Sequence, residues 1–237
     1  MHRSKRILLF LLAAVLAFAL AACGGSPETK PGAQTQVPQE NTADKTEAPR
    51  QETAINEPAG QSSAGKALVV YFSRTGEQYT VGVIDKGNTA IVAEMIAEQT
   101  GADLFEVVPA DDHYPMTYDA LTDVARKEQR DKARPAYAGT LPELAKYDTV
   151  FIGAPVWWGD WPMIMYTVFE NNDFSGKKLV PFSTHEGSGL SGFDRKLASA
   201  CKSAQVLGGL AVRGNDGQNK QDSVKKAVTS WLSGLGY

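Results

Sequence analysis

The chain has 237 residues, a formal charge of −3 and a 43% hydrophobic content. That is apolar enough for a packed core, and the slightly acidic balance argues against nucleic-acid binding or a basic membrane-hugging surface. Of the two cysteines, Cys23 lies in an N-terminal leader pattern, so Cys201 has no partner for an internal disulfide and the fold must rest on its core.

Arg3, Lys5 and Arg6 precede sixteen uncharged residues, Ile7 to Ala22. That run is shorter than the roughly 20 residues of a membrane span. A basic start with a short apolar core reads as a secretory signal. Leu20-Ala21-Ala22-Cys23-Gly24 resembles the lipobox of bacterial lipoproteins, in which the cysteine is lipidated and begins the mature chain. An ordinary signal cut nearby, with Cys23 incidental, is the alternative. Residues 24 to about 65 are Gly, Ser, Pro, Glu, Thr, Gln and Lys, too polar to offset the entropy of ordering. The expectation is a signal peptide over 1–22 and a lipidated, disordered tether over 23–65, with a reach of roughly 35 Å. It places the protein outside the cytoplasm, anchored to the outer face of the cytoplasmic membrane, or to an outer membrane if the host has one.

Residues 66–237 read as one domain of alternating strands and helices. The apolar run Leu68-Val69-Val70-Tyr71-Phe72 predicts a buried parallel strand over 67–73. Helices are predicted over 88–99, with Ile91, Val92, Met95 and Ile96 as one stripe, and over 117–133, 162–170, 193–203 and 221–233. Further strands are predicted over 102–108, 149–153, 178–184 and 206–212. Pro181 inside the fourth strand removes a ladder donor, which predicts a bulge or a break in pairing there. Cys201 falls in an apolar-periodic segment and reads as a small buried hydrophobe. Five strands alternating with helices imply an α/β fold with a parallel sheet covered on both faces. Ligands of such sheets bind at the carboxyl ends of the strands.

Three strand ends carry chemistry. The first is Ser73-Arg74-Thr75-Gly76, completed by Asn88-Thr89-Ala90. Hydroxyls and a helix N-terminus hold a phosphate with few formal charges. Asn88 is also a good helix cap, and Arg74 either pairs with the phosphate or points into solvent. This loop is not a nucleoside-triphosphatase P-loop, nor does it have the G-x-G-x-x-G spacing of a dinucleotide site. The second is Pro155-Val156-Trp157-Trp158-Gly159, with Trp161 close behind. Tryptophans so concentrated either pack in a core or partner contact, or form a platform for a flat ring. The third is Thr184-His185-Glu186-Gly187-Ser188-Gly189, a glycine-spaced loop suited to wrapping a ligand with backbone N–H groups. No second histidine lies near His185, so no metal site is expected.

Together the loops describe a phosphate, a polar linker and a flat ring, which is flavin mononucleotide (FMN). The motifs Tyr71 to Gly76 with Asn88-Thr89, Gly153 to Gly159, and Phe182 to Gly189 resemble those of the flavodoxin family, in particular its flavodoxin-like lipoproteins. The resemblance implies a flavodoxin-like three-layer sandwich whose five-stranded parallel sheet has the order 2-1-3-4-5. It also implies non-covalent FMN, its phosphate held by Ser73, Thr75, Asn88 and Thr89, with 155–159 and 184–189 flanking the isoalloxazine. Backbone groups near Trp158 and Gly159 would then hydrogen-bond the flavin N5. Unlike typical members, the chain places Glu77 to Gly87 between Thr-Gly and Asn-Thr, an insertion that reads as a small hairpin or lid. The functional expectation is electron transfer with a redox-partner protein or quinone, by a monomer that touches the membrane only through its lipid. An FMN-dependent quinone or small-molecule reductase is one alternative, and a non-flavin binding module on the same fold is another.

Overall fold

The computed structural model describes residues 65–237. The expected signal peptide, the lipidation at Cys23 and the tether up to residue 64 lie outside the described residues. Six strands form one all-parallel sheet: β1 (Ala67–Tyr71), β4 (Asp103–Glu106), β5 (Thr149–Pro155), β6 (Lys178–His185), β7 (Gln205–Val206) and β8 (Leu210–Arg213). Their spatial order is β4-β1-β5-β6, with β7 and β8 both alongside β6. With β7 and β8 counted as one interrupted strand, this is the expected order 2-1-3-4-5.

The period of two along each strand divides the core into two layers. Leu68, Val70 and Phe72 face one way, with Val150, Ile152 and Leu179. They pack under α3 (Met163–Asn171), α4 (Phe193–Ala200) and Leu121 of α2 (Tyr118–Asp131). Ala67, Val69 and Tyr71 face the other way, with Phe151, Val180 and Phe182. They meet α1 (Asn88–Thr100) and α6 (Gln221–Gly234), the latter through Val224, Val228 and Leu232. Every residue of β1 is buried, as a central strand covered on both faces requires. Cys201 is buried in the first layer, and burial pushes its thiol up to about 11.

Pro181 does not break its own strand. The carbonyls of Lys177 and Leu179 accept the amides of Gln205 and Leu207, so odd-numbered positions of this strand face the sheet edge. Pro181 therefore lacks its donor on the edge side. The edge strand yields there instead: Leu179 pairs with Val206 but Phe182 with Leu210, leaving one extra residue on the edge strand. The predicted strand over 206–212 is thus two short strands joined by a bulge.

The insertion forms an antiparallel hairpin of β2 (Gly76–Gln78) and β3 (Gly82–Ile84). Its first strand docks on the chain entering α2. Glu77 donates its N–H to the Met116 carbonyl at 2.8 Å, and its carboxylate accepts the Tyr118 N–H at 2.9 Å. A helix absent from the sequence reading, α5 (Gly214–Asn219), follows β8 directly. Among the described residues no helix is long and apolar enough to cross a membrane.

Candidate functional site

The carboxyl ends of β1, β5 and β6 lie side by side and bring the three loops together. A cleft of about 240 Å³ opens between them. Ser73, Arg74, Asn88 and Thr89 line one end, and Pro155, Val156 and Trp157 another. Thr184, His185, Glu186 and Ser188 complete the wall from the third loop. Of the remaining expected residues, Thr75, Ala90, Trp158, Gly159, Gly187 and Gly189 are not among the residues lining it. Gln78, Tyr79 and Tyr118 line it without having been anticipated. The one aromatic residue of the insertion was the available signal for Tyr79. Its ring stacks on that of Tyr118, with centroids 5.4 Å apart.

At the first loop, the turn from β1 into α1 is closed by Ser73, whose hydroxyl accepts the Ala90 N–H at 3.0 Å. A Cβ on Gly87 would come within 2.1 Å of that hydroxyl, so only glycine lets the hairpin return this tightly. Gly87 rather than Asn88 is the cap of α1, and Asn88 is its first helical residue. The first amides of a helix have no intrahelical partner and carry partial positive charge. The hydroxyls of Thr89 and Thr184, both buried, share a hydrogen bond of 2.7 Å across the cleft floor.

Arg74 lines the cleft and does not point into solvent, its side chain being 9% exposed. Its guanidinium donates to both carboxylate oxygens of Asp112, at 2.9 and 2.8 Å, and to the Tyr114 carbonyl at 2.8 Å. The insertion explains this, because the hairpin pulls the 112–116 loop against the first loop. An anion at this end of the cleft would meet neutral donors, the helix dipole and an arginine already paired with Asp112.

The tryptophans divide three ways. Trp157 lines the cleft and packs edge-on against Phe72 and Tyr114. Trp161 is core, stacked on Phe193 at 3.6 Å. Trp158 turns to α2, where its indole N–H donates to the Thr122 carbonyl at 2.9 Å. Trp158 and Gly159 both have positive φ, in a tight turn closed by hydrogen bonds between Trp157 and Asp160. The two carbonyls at the tip are already engaged, that of Trp158 by Gln129 and that of Gly159 by Lys196.

In the third loop His185 Nδ1 accepts the Gly187 N–H at 2.9 Å. Burial lowers the pKa of His185, opposed by Glu186 and aided by Arg213. The neutral imidazole therefore carries its proton on Nε2. The Glu186 carboxylate serves α5: it accepts the Asn215 N–H at 2.6 Å and pairs with Arg213 at 3.0 Å. Gln218 of the same helix donates to Asn88 at 2.8 Å, so α5 ties the first loop to the third. Residues 187–192 do have the G-x-G-x-x-G spacing that the first loop lacks. They are not a dinucleotide fingerprint, because the spacing follows β6 rather than the first strand and Arg213 ends the next strand. Among the described residues no cluster of three His, Cys, Asp or Glu side chains is arranged to hold a metal ion.

Fold and cleft define a doubly wound α/β protein with a cleft at the carboxyl edge of its sheet, where such folds bind their ligands. The chain belongs to the flavodoxin family, whose sequence profile, described as Flavodoxin, matches residues 66–232. Among solved structures it is similar to a candidate flavoprotein of Bacteroides eggerthii, with 28% identity, 73% of this chain and 98% of that one covered, and a TM-score of 0.58. A candidate flavoprotein of Bacteroides uniformis is 29% identical, with 70% and 99% covered and a TM-score of 0.55. A Lactobacillus acidophilus flavoprotein solved with FMN is 23% identical, with 68% and 99% covered and a TM-score of 0.52. No curated protein matches the chain by sequence.

Proposed function

We propose that the protein binds FMN in this cleft and transfers electrons at the outer face of a membrane, held there by a lipid on Cys23 and the tether that follows. The observation carrying the cofactor is the cleft's polarity. One end offers the N-terminus of α1 with the side chains of Ser73, Asn88 and Thr89, and another offers the indole of Trp157. That pattern fits a phosphate at one end of a ligand and a flat ring at the other. When bound, FMN supplies one- and two-electron transfer chemistry.

The chain's own residues position and enclose it. Ser73 fixes the turn into α1, and the Thr89–Thr184 bond holds the first and third loops at a set separation. Tyr79 of the hairpin, stacked on Tyr118 of α2, forms a further wall. His185 is held neutral, with its proton on Nε2. The lipid anchor is supported by the sequence around Cys23 alone.

Flavin fluorescence quenching on the full chain tests the cofactor. FMN is expected to bind stoichiometrically and riboflavin, which lacks the phosphate, at least about tenfold more weakly. Thr89→Asp, which puts a carboxylate at the helix N-terminus, should abolish FMN binding. Equal affinity for FMN and riboflavin would remove the phosphate from the proposal, and binding of neither would remove the flavin. Mass spectrometry of the N-terminal peptide tests the anchor, and Cys23→Ser should release the protein from the membrane fraction.

A further inference from the structure

We propose that a second cavity, behind Trp157, is a binding site for a flat, uncharged ring compound of the quinone class. It holds about 170 Å³, between β2, the first half of α2 and the segment 156–158. Leu121, Ala125 and Val156 give it apolar surface, and Tyr118, Trp157 and Trp158 give it aromatic walls. Gln78, Tyr118, Val156 and Trp157 line both this cavity and the cleft, so the two adjoin across a shared wall. Glu77 also reaches its edge, but that carboxylate is committed to the Tyr118 N–H. Gln78 and Thr122 add polar atoms to a lining otherwise of rings and alkyl groups, which favours an uncharged planar occupant over an ion.

Trp158 is held as a wall at a cost. Its φ of 51° is in the left-handed region, which costs a bulky residue about 1–2 kcal/mol. The side chain nevertheless stays 48% exposed, so the strain is not offset by full burial. Three contacts fix it: its N–H to the Thr122 carbonyl, its carbonyl to Gln129, and the Arg126 guanidinium 4.6 Å from its ring centroid. Conformations of this kind persist where the surroundings over-determine them, and they cluster at ligand clamps.

The quinone class follows from position. A compound seated here is beside the proposed FMN across that shared wall, and quinones are flat uncharged compounds for which that proximity has a use. The choice of class rests on the flavin reading, whereas binding in the cavity does not.

The test titrates duroquinone, whose ring carbons are blocked against thiols, into the full chain with and without saturating FMN. The readout is broadening of the duroquinone methyl signal in proton NMR. Saturable binding is expected in both forms. Thr122→Trp, which fills the cavity from its rim, should weaken it at least about tenfold while FMN affinity stays within about twofold. Circular dichroism checks the fold. If that variant does not fold, Ala125→Leu, which fills the cavity from its helical wall, carries the same expectation. Loss of duroquinone binding when FMN is added would place the compound in the cleft and overturn the proposal. So would affinity that the folded variant leaves unchanged. If FMN fails to bind but duroquinone binds and responds to Thr122→Trp, the flavin reading falls and the second site stands.

Discussion

Thr89 and Thr184, 95 positions apart in sequence, join the first turn of α1 to the end of β6 by a single hydrogen bond between their hydroxyls. Both side chains are almost wholly buried, at 1% and 3% exposure. Valine keeps the shape of threonine and deletes the hydroxyl. Thr184→Val is expected to destabilise the fold by about 1–3 kcal/mol, because it leaves the Thr89 hydroxyl buried and unpaired. The double variant Thr89→Val/Thr184→Val should lose less than the sum of the two singles, since it removes both partners. Urea unfolding midpoints measure this, and strict additivity would show that the pair is not coupled.

Arg74 sits where the sequence reading placed a phosphate ligand, yet its charge is committed to Asp112. Asp112 is half exposed, so the pair is partly screened and Asp112→Asn should cost no more than about 1–2 kcal/mol. The sharper outcome concerns ligand binding. Asp112→Ala frees the guanidinium beside the cleft and is expected to raise FMN affinity and make it more sensitive to salt, while Arg74→Met leaves affinity within about threefold of the parent. A large loss of affinity in Arg74→Met would make the arginine a direct phosphate ligand.

Gly153 and Phe182 are register partners in adjacent strands, and the ring of Phe182 lies over the glycine. A Cβ on Gly153 would come within 2.0 Å of that ring. Gly153→Ala must therefore displace a fully buried phenylalanine at the centre of the sheet, and a loss of about 1–3 kcal/mol is expected. Gly153→Ala with Phe182→Leu should recover part of it. Thermal unfolding of the three chains checks both statements.

The parallel sheet was legible because its strands are short apolar runs bounded by turn residues, and because two-sided burial leaves no other use for Leu68 to Phe72. The three loops were legible because hydroxyls, tryptophans and glycines are uncommon together at strand ends. Other features depend on partners distant in sequence. Gly214 to Asn219 has the composition of a loop, and it is held as a helix by Glu186 at its N-terminus and by Gln218 on Asn88 and the Lys86 carbonyl. Nothing local told Trp157 from Trp158, and a turn in which Trp158 and Gly159 have positive φ leaves Trp157 against Phe72 and Tyr114 and Trp158 against α2. The pairing of Arg74 could not be read because Asp112 is 38 positions away, on a loop that the inserted hairpin contacts.

Two histidines set the acid and alkaline limits of stability around neutrality. His113 donates to the buried Glu128 at 2.8 Å, and that bond, with the Asp111 carbonyl, raises its pKa. The protonated form is favoured by folding. Its contribution is therefore complete below the ordinary imidazole value of about 6.5 and is lost as pH rises through the raised folded value. His185 behaves oppositely, because burial lowers its pKa and folding favours the neutral ring. Its contribution is present above about 6.5 and is lost as pH falls from there through the lowered folded value. The FMN-free protein is thus expected to be most stable near the ordinary imidazole value and less so on either side. His113→Gln should remove the decline on the alkaline side only, and His185→Gln the decline on the acid side only. Urea midpoints collected from about pH 5 to 8 distinguish these outcomes, and a profile that neither substitution alters would mean that neither ring titrates with folding.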